Sequence, residues 1–160
     1  MILGLGGFHL VCDARNAESV AQLRLRKHRE EKPLAVMALN PASLDEFACI
    51  GAQESELLQS VAAPIVLCRK AEMELRGIAP GLLWLGTMLA STPLQLLLWH
   101  EACGRPHGTA WLDEPNSLLL VATSANPYGE PLVCGNAEAL ERLQGIADFY
   151  MMHEREKVVR

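Results

Sequence analysis

Residues 16–39 read NAESVAQLRLRKHREEKPLAVMAL, and this one stretch sets out a helix, a charged turn and a strand. Asn16 is a helix N-cap, Glu18 complements the first turn, and Val20, Leu23 and Lys27 recur at helical spacing, which predicts a helix from Ala17 to His28. Pro33 follows its end. Leu34 to Leu39 is then a short, almost wholly apolar run, the pattern of a strand buried on both faces of a sheet. Upstream, Met1 to Val11 reads as a Gly-rich turn followed by an extended stretch, with the strand that should feed the turn missing. Downstream, Pro41 with Asp45 and Glu46 marks one short helix, Glu54 to Val61 another, and Ile65 to Leu67 is a second apolar run. Leu94 to Ala102 is apolar almost all round, which predicts a helix sandwiched inside the domain and stopped by Gly104. Cys103 to Asn116 reads as a long surface loop, Ser117 to Ala122 as a buried strand, Ala137 to Leu143 as a helix ended by Gly145, and Ala147 to Met152 as a last strand. Strands and helices alternate without an internal repeat, so the fold class is α/β or α+β.

The chain has 160 residues, 50% hydrophobic and 21% charged, which fits one globular domain. Fourteen Lys and Arg against nineteen Asp and Glu give a net charge of −5. That balance argues against tracking nucleic-acid phosphates or an anionic membrane, so any anion site must be local. Aromatics at 5% suit helices packed on a sheet better than the aromatic strands of a sandwich. The five cysteines are widely spaced and form no C-x-x-C or zinc-ligand pattern, as in a reduced chain. The start carries no basic segment followed by an apolar core, and the apolar stretch from Ile78 to Trp99 is broken by Pro80, Gly81, Gly86 and Pro93. A soluble, cytoplasmic protein with no membrane span and no metal-ligand cluster is the expectation.

Five of the fourteen basic side chains, Arg24, Arg26, Lys27, Arg29 and Lys32, fall within nine residues at the predicted helix end. One reading is a solvated helix C-terminus, where cations complement the dipole for about 0.3–1 kcal/mol each. The other is an anion clamp, with Lys27 and Arg29 aiming an ammonium and a planar guanidinium at one phosphate or carboxylate, and Lys32 where the chain turns back into the sheet. A second polar signal, Thr123-Ser124-Ala125-Asn126-Pro127-Tyr128-Gly129-Glu130-Pro131, directly follows a buried strand. It reads either as an Asn-Pro turn or as a site, since ligands of open α/β sheets collect beyond the carboxyl ends of strands, where the Ser124 hydroxyl and Asn126 amide would stand. Gly4-Leu5-Gly6-Gly7 fails as a dinucleotide fingerprint because His9 stands where glycine is required, and no Gly-Lys-Ser/Thr follows. Its glycines suit close backbone approach to a small ligand. His9 reads equally as a packed histidine or a base.

The segments GLGGFHLVCDARNAESVAQLRLRKHREEKPLAVM (4–37), IAPGLLWLGTML (78–89), TPLQLLL (92–98), TSANPYGEPL (123–132) and NAEALERLQGIADFYMMHER (136–155) resemble the YrdC-like domain of HypF, the carbamoyltransferase of nickel–iron hydrogenase maturation. The resemblance covers nearly the whole chain. It implies a twisted mixed β-sheet flanked by helices around a basic-lined cavity, where ATP, with Mg²⁺, and carbamate condense to carbamoyl-adenylate and pyrophosphate. In the wider YrdC family a Lys-x-Arg and a Ser-x-Asn motif bind nucleotide and substrate, and here they look like Lys27-x-Arg29 and Ser124-x-Asn126. Lys27 and Arg29 would face the growing charge at the α-phosphate, with Lys32 beside them. Ser124 and Asn126 would hold phosphate oxygens or the metal's shell, and Gly6 and Gly7 would turn bare amides to the carbamoyl end. The resemblance further implies carbamoyl phosphate as the source of carbamate, the other HypF domains as companions, and HypE as the acceptor of the carbamoyl group.

The sequence also departs from that family. The first strand ahead of the Gly-rich turn and a C-terminal Asp-Asp-Ser segment are expected and not found, so the chain reads as a single domain, 1–160, truncated at both ends. An expected Met-Leu-Pro-Tyr-Thr-Pro-Leu segment is Met88-Leu89-Ala90-Ser91-Thr92-Pro93-Leu94. Two rival readings stay within the wider family. One is a threonylcarbamoyl-adenylate synthase of tRNA modification, whose Thr-Glu-Thr-Val-Tyr-Gly-Leu-Gly type opening is here Leu5-Gly6-Gly7-Phe8-His9. The other is a double-stranded-RNA-binding module, which five cations against a net charge of −5 do not favour.

Overall fold

The computed structural model describes residues 1–3, 7–29, 31–126 and 131–152. Seven strands form one mixed sheet: β1 (Ile2–Leu3), β2 (Phe8–Asp13), β3 (Ala35–Ala38), β4 (Ala48–Cys49), β5 (Val66–Lys70), β6 (Trp84–Leu89) and β7 (Leu120–Ser124), in the spatial order β1-β2-β7-β3-β6-β5-β4. Only β3 and β6 run parallel; the other pairs are antiparallel. Four α-helices, α1 (Ala17–Arg26), α2 (Ala52–Leu58), α3 (Pro93–Ala102) and α4 (Asn136–Arg142), and short 3-10 turns at Pro41–Leu44 and Ala110–Leu112 complete the described chain. This is the mixed, helix-flanked sheet the sequence implied. No helix among the described residues is long and apolar enough to cross a membrane.

Register divides the sheet into two faces, because residues directly opposite each other in neighbouring strands share a side. Phe8, Leu10, Val36, Ala38, Val121, Leu85 and Cys68 form the main core with Val20 and Leu23 of α1, Leu58 of α2 and Ala139 of α4. The opposite face carries His9, Ala35, Met37, Met88, Leu120, Ala122 and Ser124, through the pairs His9–Ser124, Ala35–Ala122 and Met37–Met88. There α3 covers only part of the surface, with Trp99 packed against Met37 and Leu39. The rest of that face stays open.

Local chemistry accounts for the element ends. Asn16 accepts hydrogen bonds from the Glu18 and Ser19 amides, both at 3.0 Å, and so caps α1. The helix stops at Arg26, two residues before the predicted end, because His28 turns into the left-handed region at φ 48°. Thr92 and Gln95 form a reciprocal capping box at the start of α3.

Several expectations are corrected. A strand does precede the Gly-rich turn, since Ile2–Leu3 pairs with β2. α2 starts at Ala52 and ends at Leu58, short of Val61. β6 was not foreseen: Gly86 interrupts its apolar run, and a side chain there would meet Ile65 Cγ2 at 3.3 Å, a tight contact that the glycine relieves. α3 is not sandwiched, for Leu97 is 55% exposed while Trp99 is fully buried. Residues 147–152 form no strand, only a single bridge between Met151 and Ile2.

Since α3 is held by one large anchor whose Nε1 donates to the Leu118 carbonyl at 3.1 Å, Trp99→Ala is expected to cost about 3–5 kcal/mol. Leu97→Ala should stay within about 0.5 kcal/mol. Denaturant unfolding checks both, and equal losses would contradict a single-anchor α3.

Candidate functional site

The turn that leaves α1 places two cations at the end of β7. Lys27, the C-cap of α1, is 8% exposed. Its ammonium donates to the Ser124 carbonyl and, at 3.1 Å, to Asn126 Oδ1. Ser124 Oγ donates to the same Asn126 oxygen at 2.8 Å. His28 reverses the chain, and Arg29 then donates from Nη1 to Thr123 Oγ1 at 2.8 Å and from Nη2 to the Pro33 carbonyl at 2.6 Å. Stretches nearly a hundred residues apart in sequence thus meet at one point, and Lys27, Arg29, Ser124 and Asn126 are the residues brought together.

Beside them lies a cleft of about 280 Å³ on the sheet face that α3 leaves open. Ala35 and Ala122 line its floor, Met88 and Ile65 one side, and His9, Arg29 and Ser124 the polar side. Small side chains on adjacent strands leave this floor shallow enough for a ligand to reach the backbone. His9 stands directly opposite Ser124 in the β2–β7 pairing, half-buried and facing the cleft.

Other predicted residues fall differently. Lys27 and Asn126 adjoin the cleft through Ser124 without being among its lining residues. Lys32 is exposed and does not line the cleft either, although its charge is felt at Lys27. Gly7 is buried with φ 153°, and a Cβ there would lie 2.6 Å from Leu132 Cδ2 and 2.8 Å from the Val133 carbonyl oxygen. Its missing side chain therefore serves packing against residues 132–133, and Gly7 is not among the cleft-lining residues. Gly6, and residues 127–130 of the loop after β7, lie outside the described residues. Thr123 and Pro33 were not singled out in the sequence. A threonine next to Ser124 was the available signal for the first, and a backbone carbonyl gives none.

The electrostatics follow from crowding. Burial, then the charges of Arg29 and Lys32, push the Lys27 ammonium down to about 8 from the ordinary 10.5. Burial, then Arg24, lowers Arg29 too. Only neutral oxygens accept hydrogen bonds from Lys27. The arrangement is a desolvated pair of cations lacking a counter-anion among the described residues, which is what an anionic ligand needs.

Two expectations follow. Between about pH 8 and 10.5 the unfolded chain holds the Lys27 proton and the folded chain has lost it, so this group makes stability rise with pH across that window. Lys27→Met should flatten the rise, measured as the difference in unfolding free energy between variant and parent from pH 7.5 to 10; parallel curves would contradict it. Gly7→Ala should destabilise by about 1–3 kcal/mol, because a backbone carbonyl must move, and an unchanged melting temperature would show that the 132–133 segment yields freely.

The family model for Sua5, YciO and YrdC proteins, described as telomere recombination, matches residues 1–160. The chain is 59% identical to Carbamoyltransferase HypF2 of Cupriavidus necator, over 99% of the chain and 20% of that protein. It is 47% identical to Carbamoyltransferase HypF of Rhizobium leguminosarum bv. viciae, over 98% of the chain and 20% of that protein. The chain thus spans about a fifth of the length of these curated relatives. The crystal structure of full-length HypF in the phosphate- and nucleotide-bound form superposes with a TM-score of 0.87 at 38% identity, covering 99% of this chain and 19% of that one. The crystal structure of P. abyssi Sua5 complexed with L-threonine shares the fold, with a TM-score of 0.72 at 18% identity over 94% of this chain and 41% of that one. By the family match over residues 1–160, the chain belongs to the Sua5/YciO/YrdC family, and within it the chain is similar to the YrdC-like part of HypF proteins.

Proposed function

We propose that this domain forms carbamoyl-adenylate from ATP and carbamate within a HypF-type carbamoyltransferase, as one step of hydrogenase maturation. The observation that carries the reading is the meeting of Lys27 and Arg29 with Ser124 and Asn126 beside an open cleft. A relative at 38% identity is described as phosphate- and nucleotide-bound, which supports a nucleotide as the anion.

In this reaction a carbamate oxygen attacks the α-phosphorus of ATP, and the bond from that phosphorus to the bridging oxygen of the β-phosphate breaks. Pyrophosphate leaves with the electron pair. Carbamate is already an anion, so no general base is required. Lys27 and Arg29 stand opposite the charge that develops on the phosphoryl oxygens, where preorganised cations stabilise most in a site shielded from water. The Ser124 hydroxyl can turn from Asn126 to a phosphate oxygen.

The donor set bears on Mg²⁺. Ser124 Oγ and Asn126 Oδ1 are neutral oxygens, and among the described residues no carboxylate lines the cleft. Such a pair fits a metal carried in on the phosphates, whose chemistry is to neutralise their charge, and these two residues would support its water shell. Carbamoyl phosphate as carbamate source, the remaining HypF domains and HypE as acceptor complete the proposal for the longer protein.

Titration calorimetry with ATP and Mg²⁺ tests it. Lys27→Ala and Arg29→Ala should each weaken binding by at least about tenfold, the scale of a charge-assisted hydrogen bond, and unchanged affinity in both would remove the site. Pyrophosphate release that depends on threonine rather than on carbamate would move the reading to threonylcarbamoyl-adenylate synthesis.

A further inference from the structure

Arg24 belongs to the basic cluster yet stays out of the cleft, and its hydrogen bonds set it apart from the other cations. Nε donates to the Gly77 carbonyl at 2.7 Å and Nη2 to the Ile78 carbonyl at 3.1 Å. Nη1 donates to the Arg29 carbonyl at 2.7 Å and the Lys32 carbonyl at 3.3 Å. One guanidinium therefore joins α1, the turn that carries Arg29, and the loop ahead of β6. The Ile78 carbonyl also accepts from the Leu34 amide at 2.9 Å, at the entry to β3. A helix-end cation that merely answered the dipole would not reach across to a second loop.

The turn needs such a tie. His28 holds a left-handed backbone at φ 48°, a conformation that L-residues adopt at a cost. Arg24 and Arg29 sit close enough for the first to lower the proton affinity of the second, so charge alone would drive them apart. Four carbonyl dipoles on the rigid fork offset that repulsion. A lysine could meet only part of this set, because its ammonium is a point donor on a flexible stem.

We propose that Arg24 is a positioning residue that staples the 29–32 turn to the Gly77–Ile78 loop and so delivers the Arg29 guanidinium to Thr123 and the cleft. The inference rests on the nucleotide reading for its consequence in binding, and its structural content can be measured without nucleotide.

Two measurements on the 160-residue chain separate these. The first is a double-mutant cycle on ATP affinity. Arg24→Ala should weaken binding about five- to tenfold, and Arg24→Ala combined with Arg29→Ala should lie within about twofold of Arg29→Ala alone, because Arg24 acts through Arg29. Multiplying effects, or an Arg24→Ala affinity equal to the parent's while Arg29→Ala binds weakly, would overturn the assignment. If Arg29→Ala and Lys27→Ala both leave affinity unchanged, the nucleotide reading fails and the second measurement decides on Arg24; if Arg29→Ala alone does, the consequence assigned to Arg24 in binding is overturned.

That measurement is the pH midpoint at which Lys27 reacts with an amine reagent, followed by peptide mass spectrometry in the absence of nucleotide. The charges acting on Lys27 are Arg29 and Lys32, and Arg24 holds the carbonyls of both, so a shift in an Arg24 variant reports movement of the segment that carries them. The midpoint should rise in Arg24→Ala and also in Arg24→Lys, which keeps the charge and the stem without the fork and guards against a variant that does not fold. An unchanged midpoint in a folded Arg24→Lys chain would overturn the positioning role.

Discussion

A lysine ammonium drawn out of water must find oxygen partners or lose its proton, and at Lys27 the partners come from the far end of the chain. The Ser124 carbonyl and Asn126 Oδ1 receive it, and this contact joins the end of α1 to the end of β7. Arg29 repeats the pattern against Thr123. Among the described residues both cations are satisfied by neutral groups, so their charge is left to act on whatever enters the adjoining cleft. A carboxylate in the same place would have made a stronger pair and a poorer anion site.

The rest of the architecture serves that placement. β7 lies between β2 and β3, so its carboxyl end is bordered by His9 on one side and the entry to β3 on the other. Helices α1, α2 and α4 pack on one face, and α3 shields only the Trp99 end of the other. The uncovered part of that second face becomes the cleft floor, and its alanines keep it shallow. Stability and opening are thus segregated: the main core lies on one face, while on the other Trp99 of α3 packs on Met37 and the cleft beyond them carries Ala35, Ala122, His9 and Ser124.

Much of this was legible from residue order. The α1–turn–β3 unit follows from an N-cap, an apolar period and a hydrophobic run, all local signals, and the basic cluster stood out against an acidic composition. β6 escaped because a glycine broke its apolar pattern, and the neighbour that crowds that glycine is Ile65, far back in the chain just ahead of β5. α3 was misjudged because apolar residues all round a helix suggest full burial, yet Leu97 faces solvent. Gly7 suited a ligand-facing loop as well as a packing contact, and only the position of Leu132 and Val133 distinguishes the two.

Sequence by itself determined the kinds of group available: an ammonium and a guanidinium two residues apart, a hydroxyl and an amide after a buried strand, and the periodicities that make helices and strands of the segments between them. It also determined a family resemblance borne out by the comparisons. Only tertiary structure decided that these groups share one end of the sheet, that Lys32 stands aside from the cleft, and that Arg24 bonds to carbonyls rather than to solvent. The physical reason is one of range. Propensity and periodicity act over a few residues, whereas a buried charge is settled by whichever backbone oxygens the folded chain brings within about 3 Å of it, and those oxygens carry no side-chain signature to read.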